Sequence, residues 1–191
     1  MSVTKKKPPT RFERKIAALQ KQLGIPRDYG TQRKLDLCEE CTNPVSIGKD
    51  IFDRDQKMTP RAARAWFEMK AAAASSGIEL QAVSAFRSVE YQAGIIGQKL
   101  DAGHSMEQIL RVSTAPGYSE HHTGRALDIS TPGYEPLEEE FDRSPAFKWL
   151  ENTAGNFGFR MSFPKNNHHG VSYEPWHWCW IPGISDLDQD L

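Results

Sequence analysis

Apolar side chains recur at helical spacing in the first part of the chain. Residues 11–23 place several of them on one face, which predicts a short amphipathic helix. Thr59 and Pro60 form a helix start, because threonine caps the first turn and proline suits the first helical position. We expect this second helix to end at Gly77 and its alanines to pack closely against a sheet.

Strands and further helices follow along the chain. Residues 78–86 alternate and carry β-type side chains, which predicts a strand. The same reasoning predicts helices over 89–103, 105–112 and 144–157, and strands over 125–130, 159–163 and 172–181. This order of elements favours an α+β fold, with a small antiparallel sheet and helices packed on one side of it.

Length and charge narrow the classes of function. A chain of 191 residues suits one domain with an extension, so we expect a partly helical N-terminal extension over 1–45 and a main domain over 46–191. The formal net charge of −1 gives no electrostatic case for nucleic-acid binding. No stretch approaches the roughly 20 apolar residues of a membrane span. We expect the protein to act as a monomer.

The basic N-terminus lacks the apolar segment of a secretory signal, so the sequence alone leaves the compartment open. Three cysteines, an odd number, argue against a disulfide framework. We interpret Cys38 and Cys41 as an incidental pair, because the chain has no second CxxC and the surrounding charge is acidic.

Alternation in the strand over 125–130 places one carboxylate in a costly position. Asp128 shares a face with Ala126, while Leu127 and Ile129 share the other. An unpaired carboxylate among apolar neighbours is unfavourable, so Asp128 needs a cation, a set of donors or a metal. Arg125 is a poor candidate for this partner, because alternation directs it to the opposite face.

Candidate metal ligands concentrate in two segments, 119–128 and 173–178. A catalytic zinc takes about three imidazole or carboxylate ligands and keeps one position open for water, whose pKa it lowers to roughly 7. Two ligands from the first segment and His177 from the second would supply such a site, with a nearby carboxylate as the base. Spacing alone leaves alternatives open: His121 and His122 are both possible ligands, and Glu174 and His177 could be a surface pair.

Glu174 and His177 also pose a geometric problem. Residues three apart lie on opposite faces of a regular strand, yet both must reach one site. Pro175 cannot donate to a strand ladder and belongs at a strand start. We therefore predict that Glu174 lies in a turn or irregular entry and that the regular strand starts near Trp176.

Three motifs, in order, resemble those of the VanY-type D-alanyl-D-alanine carboxypeptidases, zinc peptidases of family M15 (subfamily M15B). The segment from Ser119 to Ile129 matches SEHxTGxAxDI, and residues 174–178 match EPWHW. The third motif, S-x-F-R-S followed by Gln, stands at residues 84–88 with Gln92. The likeness covers roughly residues 45–181, and three motifs in order are far more specific than one. The resemblance also implies a Hedgehog/D-Ala-D-Ala peptidase-like fold.

The resemblance implies a role for each matching position. The implied ligands of one Zn²⁺ ion are His121, Asp128 and His177, which selects His121 over His122. Glu174 would be the general base, and Arg87 the catalytic cation that receives the substrate carboxylate and developing oxyanion charge. The implied substrate-binding residues are Ser119, Gln92 and Trp176.

The implied function is hydrolysis of the terminal D-Ala of peptidoglycan stem peptides or precursors, by zinc-activated water with Glu174 as base. This bacterial cell-wall substrate implies the envelope or periplasm, and the cytoplasm remains possible. Two alternatives share the fold: a lysin-like peptidoglycan endopeptidase, and a non-catalytic module that binds zinc or cell-wall peptide.

The chain departs from the family pattern at two places. Many members carry Arg-Tyr-Pro where this chain has Ser162, Phe163 and Pro164, so we expect the substrate end of the pocket to differ from the family pattern. Cys179 follows closely on His177, and we do not expect it to be a fourth ligand, because a catalytic site must stay open.

Overall fold

The computed structural model describes residues 8–183. The strands of that range form two sheets, and the helices surround them. The helices are α1 (Arg11–Leu23), α2 (Tyr29–Arg33), α3 (Pro60–Ser75), α4 (Val89–Asp101), α5 (Met106–Val112) and α6 (Pro145–Thr153). The strands are β1 (Val45–Lys49), β2 (Asp55–Met58), β3 (Gln81–Ser84), β4 (Ala126–Ser130), β5 (Phe159–Met161) and β6 (His177–Trp180). Short 3₁₀ helices cover Glu120–Thr123, Glu139–Arg143 and Ala154–Phe157.

The main sheet has four antiparallel strands in the order β3-β4-β6-β5, and β1 and β2 form a separate hairpin. Small antiparallel sheets with surrounding helices confirm the predicted α+β class. Among the residues described, no helix is long and apolar enough to cross a membrane.

Alternation divides the main sheet into a core face and a polar face. Leu127 of β4 pairs with Trp178 of β6, and both join the hydrophobic core that α3 and α6 cover. Asp128 pairs with His177 in the same register and faces the other way. The sheet therefore presents the candidate ligands on the face opposite its main core.

Local signals at the helix starts act as predicted. Thr59 caps α3 with Pro60 in the first turn, and Ser88 caps α4 by accepting a hydrogen bond from the Tyr91 amide. The strand expected over 78–86 is shorter, Gln81–Ser84, and the helix expected over 144–157 divides into α6 and a 3₁₀ turn.

The β1–β2 hairpin was absent from the sequence prediction, because two of its inward-facing residues are polar. Asp50 and Gln56 are buried, and the Gln56 amide nitrogen donates to the Asp50 carboxylate at 2.8 Å. The Gln56 amide oxygen accepts a hydrogen bond from the Ala85 backbone at 2.8 Å. These polar contacts replace the apolar alternation that would have revealed the strands.

The described part of the predicted extension packs on the segment that leads to the candidate ligands. Ile16 of α1 is buried against Gly117, and the backbone amides of Cys38 and Cys41 donate to Gly117 and His122 at 2.8 Å each. Both cysteines are free thiols. The boundary near residue 45 stays a prediction.

Candidate metal centre

The structure brings three buried side chains together: His121, Asp128 and His177. Their ligand atoms all lie within 4.8 Å of one another, and among the residues that the structure describes this is the one such group of His, Cys, Asp or Glu. His121 lies in the 3₁₀ helix before β4, Asp128 in the middle of β4 and His177 at the first position of β6. Two imidazoles and a carboxylate are the donor set of a catalytic zinc site.

The hydrogen bonds of His121 fix which nitrogen faces the cluster. Its Nδ1 lies 2.6 Å from the Ala85 carbonyl oxygen and must donate to it, so the neutral ring keeps a lone pair on Nε2. Burial lowers the pKa of His121 to about 4, which keeps the ring neutral at pH 7. Nε2 has no hydrogen-bond partner, although it lies 3.2 Å from Asp128 Oδ2. Two lone pairs that face each other this closely are stabilised by a cation between them.

His177 lies between two carboxylates. Its Nδ1 is 2.9 Å from Asp128 Oδ1, and its Nε2 is 2.9 Å from Glu120 Oε2. Burial opposes its positive charge, yet the hydrogen bonds to Asp128 and Glu120 raise the pKa of His177 to about 10 in the metal-free protein. Burial opposes the charge of Asp128 as well, and the hydrogen bond and positive charge of His177 nevertheless hold the pKa of Asp128 well below the usual range.

The donor geometry fits a zinc ion. Zinc bonds of about 2.0 to 2.2 Å in a tetrahedron separate neighbouring ligand atoms by roughly 3.3 Å. His121 Nε2 lies 3.2 Å from Asp128 Oδ2 and His177 Nδ1 lies 2.9 Å from Asp128 Oδ1, so each imidazole faces one carboxylate oxygen at about this spacing. A metal at this position would replace one proton on His177, whose Nδ1 could then serve as a ligand.

Arg87 reaches the cluster from the loop after β3. Its amide donates to the His121 carbonyl at 3.2 Å, and its guanidinium Nη2 lies 3.8 Å from Asp128 Oδ2. Gln92 is buried and accepts a hydrogen bond from Arg87 Nη1 at 3.2 Å while donating to the Thr114 carbonyl at 2.8 Å. Within residues 8–183, Arg87 Nε is one of only two buried side-chain nitrogen or oxygen atoms without a partner.

Glu174 lies in a turn, as the spacing argument predicted. The His177 amide donates to the Glu174 carbonyl at 3.1 Å, and β6 begins only at His177. The turn brings Glu174 Oε2 to 3.9 Å from His177 Nδ1. Burial raises the pKa of Glu174 from 4.5 to about 7, which suits a group that must accept and return a proton near neutral pH.

This raised pKa predicts how stability of the metal-free protein depends on pH. A carboxylate with a higher pKa in the folded state stabilises the fold below pH 4.5, and the contribution is lost as pH rises through about 7. Glu174→Gln removes this loss, so we expect the free energy of unfolding to rise by roughly 3 kcal/mol at pH 8 and to be unchanged at pH 4. Urea unfolding of the metal-free variants at both pH values measures this, with the exposed Glu138→Gln as control. An equal gain at both pH values would contradict burial of the charge as its cause.

The other histidine of the motif has a structural role. His122 is buried, its Nδ1 lies 2.6 Å from the Arg87 carbonyl, and its Nε2 accepts a hydrogen bond from the Gly117 amide at 3.1 Å. With both nitrogens engaged, it holds the loop rather than facing the cluster.

Three further residues that the sequence analysis singled out, Ser119, Trp176 and Cys179, lie within two residues of a ligand histidine along the chain. Ser119 is buried directly before the 3₁₀ helix. Trp176 packs against the main hydrophobic core. Its contact with substrate stays a prediction. Burial raises the pKa of the Cys179 thiol, and Cys179 does not belong to the ligand cluster.

Sequence reasoning missed two residues that support the ligand histidines. Glu120 contacts His177 directly, and Gln56 accepts a hydrogen bond from the backbone N–H of Ala85, the residue whose carbonyl accepts from His121. Glu120 could have been noticed as a carboxylate beside a candidate ligand. Gln56 carries no signal in the sequence, because its partner Ala85 lies 29 residues further along the chain.

Comparisons with known proteins show what this chain is similar to. Residues 55–183 match the profile of the family VanY, D-alanyl-D-alanine carboxypeptidase. The putative carboxypeptidase YodJ of Bacillus subtilis (strain 168) is 32% identical over 85% of this chain and 58% of its own length. The structure of the LdcB LD-carboxypeptidase shares 31% identity and a TM-score of 0.68, over 80% of this chain and 75% of that chain. The vancomycin-resistance D,D-pentapeptidase VanY from a VanB-type cassette, solved with Zn(II), shares 25% identity and a TM-score of 0.56, over 78% of this chain and 88% of that chain.

The chain spans between 39% and 58% of the length of three curated carboxypeptidases that it matches. The matched region nevertheless includes the whole ligand cluster, Arg87 and Glu174. The family that the three motifs predicted is thereby confirmed: this chain belongs to the VanY family of D-alanyl-D-alanine carboxypeptidases.

Proposed function

We propose that this protein is a zinc-dependent metallocarboxypeptidase that hydrolyses the terminal D-alanine of peptidoglycan stem peptides or their precursors. One Zn²⁺ ion would be held by His121, Asp128 and His177, with one coordination position open to water and substrate. Bound there, the ion would lower the pKa of water to roughly 7 and polarise the scissile carbonyl.

The observation that carries the proposal is the partnerless Arg87 Nε, buried beside the ligand cluster. A carboxypeptidase must recognise a free chain-end carboxylate next to the bond that it cuts. A guanidinium with a free, desolvated donor is the side chain best suited to this recognition. Gln92 supports the role, because its hydrogen bond to Nη1 keeps the guanidinium in place.

Glu174 is proposed as the general base. Its carboxylate lies close to His177 Nδ1, so it stands beside the metal position without belonging to the ligand set. In the metal-free protein burial raises the pKa of Glu174 to about 7. Glu174 would take a proton from the attacking water and return it to the leaving amine. Such hydrolysis forms no acyl-enzyme. Ser119 and Trp176 are kept as proposed substrate contacts.

A second candidate is the removal of D-alanine from a tetrapeptide, where the preceding residue has L configuration. The similarity to a protein named LD-carboxypeptidase, at 31% identity, favours considering this substrate. Arg87 would recognise the terminal carboxylate in both cases, so the difference lies in the residue before the scissile bond.

The experiment offers four peptides to the zinc-loaded protein and identifies products by mass. Two end in D-Ala-D-Ala and L-Lys-D-Ala, the third is the C-terminal amide of the first, and the fourth is a cross-linked stem peptide. We expect release of D-alanine from the first, loss of cleavage with the amide, and about a hundred-fold lower kcat/KM in Arg87→Met, because a buried charged contact is lost. Arg64→Met, an exposed change on α3, is the matched control.

Each other result points to a different function. Preference for the L-Lys-D-Ala peptide would assign the second candidate. Equal cleavage of the amide, or internal cleavage of the cross-linked peptide, would replace the carboxypeptidase by an endopeptidase. Zinc binding without any cleavage would leave a binding module.

A further inference from the structure

Among the described residues, Glu120 is the one carboxylate that contacts a ligand histidine and has no part in the proposed mechanism. It lies at the start of the 3₁₀ helix, directly before His121, and its Oε2 is 2.9 Å from His177 Nε2. The two nitrogens of an imidazole point to opposite sides of the ring, and Nδ1 of His177 faces Asp128. Glu120 therefore lies behind the ring, away from the metal position, and is not part of the ligand cluster.

Glu120 is itself held in place. The Ser162 hydroxyl donates a hydrogen bond of 2.6 Å to the same Oε2 atom that contacts His177. His177 and Ser162 both contact Oε2, so two hydrogen bonds fix the position of the carboxylate. Ser162 directly follows β5.

The backbone around Glu120 has its own supports. The Thr123 hydroxyl donates to the Glu120 carbonyl at 2.6 Å, and the Cys41 amide donates to the His122 carbonyl at 2.8 Å. On the other side, the pairing of β4 with β6 places His177. The backbone contacts and the strand pairing position Glu120 and His177 independently of the contact between their side chains. A role in the metal centre would explain why that side-chain contact is present.

We infer that Glu120, supported by Ser162, is a positioning residue of the metal centre. By accepting the Nε2–H of His177, its carboxylate fixes the tautomer that leaves Nδ1 for the metal and makes the ring a better donor. Outer contacts of this kind change metal affinity by about 10- to 100-fold when they are removed. The inference rests on the proposed metal centre and is independent of which peptide is the substrate.

The test measures zinc affinity by competition with a chelator for the wild type, Glu120→Ala, Glu120→Gln and Ser162→Ala. We expect the dissociation constant to rise about 10- to 100-fold in Glu120→Ala. Glutamine can still accept the Nε2–H through its amide oxygen, so Glu120→Gln should restore most of the affinity. Ser162→Ala should cost only a few-fold. Glu107→Ala, which removes an exposed carboxylate on α5, is the matched control.

Imidazole nitrogen NMR of the zinc-loaded protein supplies a readout that a general loss of structure would not produce. We expect His177 to carry its proton on Nε2 in the wild type and in Glu120→Gln, and this resonance to be lost by exchange or shifted in Glu120→Ala. Zinc affinity in Glu120→Ala within two-fold of the wild type would overturn the inference, and so would equal losses in the alanine and glutamine variants.

If Glu120→Ala does not fold, Glu120→Leu takes its place, because leucine keeps a similar volume but cannot accept the Nε2–H of His177. Zinc affinity in Glu120→Leu within two-fold of the wild type would overturn the inference. Failure of the proposed peptidase activity would look different. In that case the wild type would bind zinc tightly and show the expected His177 proton without cleaving any peptide.

Discussion

In the Glu174→Gln variant, kcat for release of D-alanine is expected to fall about a thousand-fold, while zinc stays bound at about one equivalent per chain. Glutamine has the shape of glutamate, but it cannot accept a proton from water or pass one to the leaving amine. Zinc binding should persist because Glu174 is outside the ligand cluster. Steady-state kinetics on the D-Ala-D-Ala peptide, with metal analysis of the same sample, measure both quantities.

The controls separate loss of the base from general damage. Glu138→Gln removes an exposed carboxylate and should keep full activity. Glu174→Ala should lose as much activity as the glutamine variant, because both lack the base. Wild-type turnover in Glu174→Gln would exclude Glu174 as the base, and loss of zinc would instead make it a ligand.

Replacement of Asp128 by asparagine is expected to raise the zinc dissociation constant about a thousand-fold. Asp128 contributes the negative charge that faces both imidazoles and Arg87 in a buried cluster. Loss of one charged partner from such a cluster costs about 4 kcal/mol, and 1.4 kcal/mol corresponds to a factor of ten. An amide oxygen can still face the metal but cannot neutralise its charge.

Chelator competition measures this affinity, and circular dichroism checks that the fold remains. Asp101→Asn, at the exposed end of α4, is the matched substitution and should bind zinc as the wild type does. An affinity for Asp128→Asn within a few-fold of the wild type would remove Asp128 from the ligand set.

A structural feature could be predicted from the sequence when the residues that determine it are close together along the chain. The caps at Thr59 and Ser88 act within one turn, so the starts of α3 and α4 could be read directly. Strand alternation placed Asp128 on the polar face, and the proline after Glu174 located the turn that carries it. The choice of His121 over His122 needed the family motifs, since two adjacent histidines carry no local difference.

The remaining features depend on contacts between distant segments. Glu120 and His177 are 57 residues apart, and nothing near either residue indicates the other. The β1–β2 hairpin was missed because its buried positions include Asp50 and Gln56, which apolar periodicity cannot detect. Both failures concern buried polar groups that are satisfied only once the tertiary structure has formed.

The two faces of β6 also constrain how this family member can evolve. Within four residues, Trp178 and Trp180 fill the core, while His177 and Cys179 lie on the polar face. A single-residue insertion or deletion in β6 would exchange the two sets, placing an imidazole in the core and an indole at the metal position. We therefore expect length variation among close homologues to be confined to the loops around β6, with change inside the strand limited to substitution.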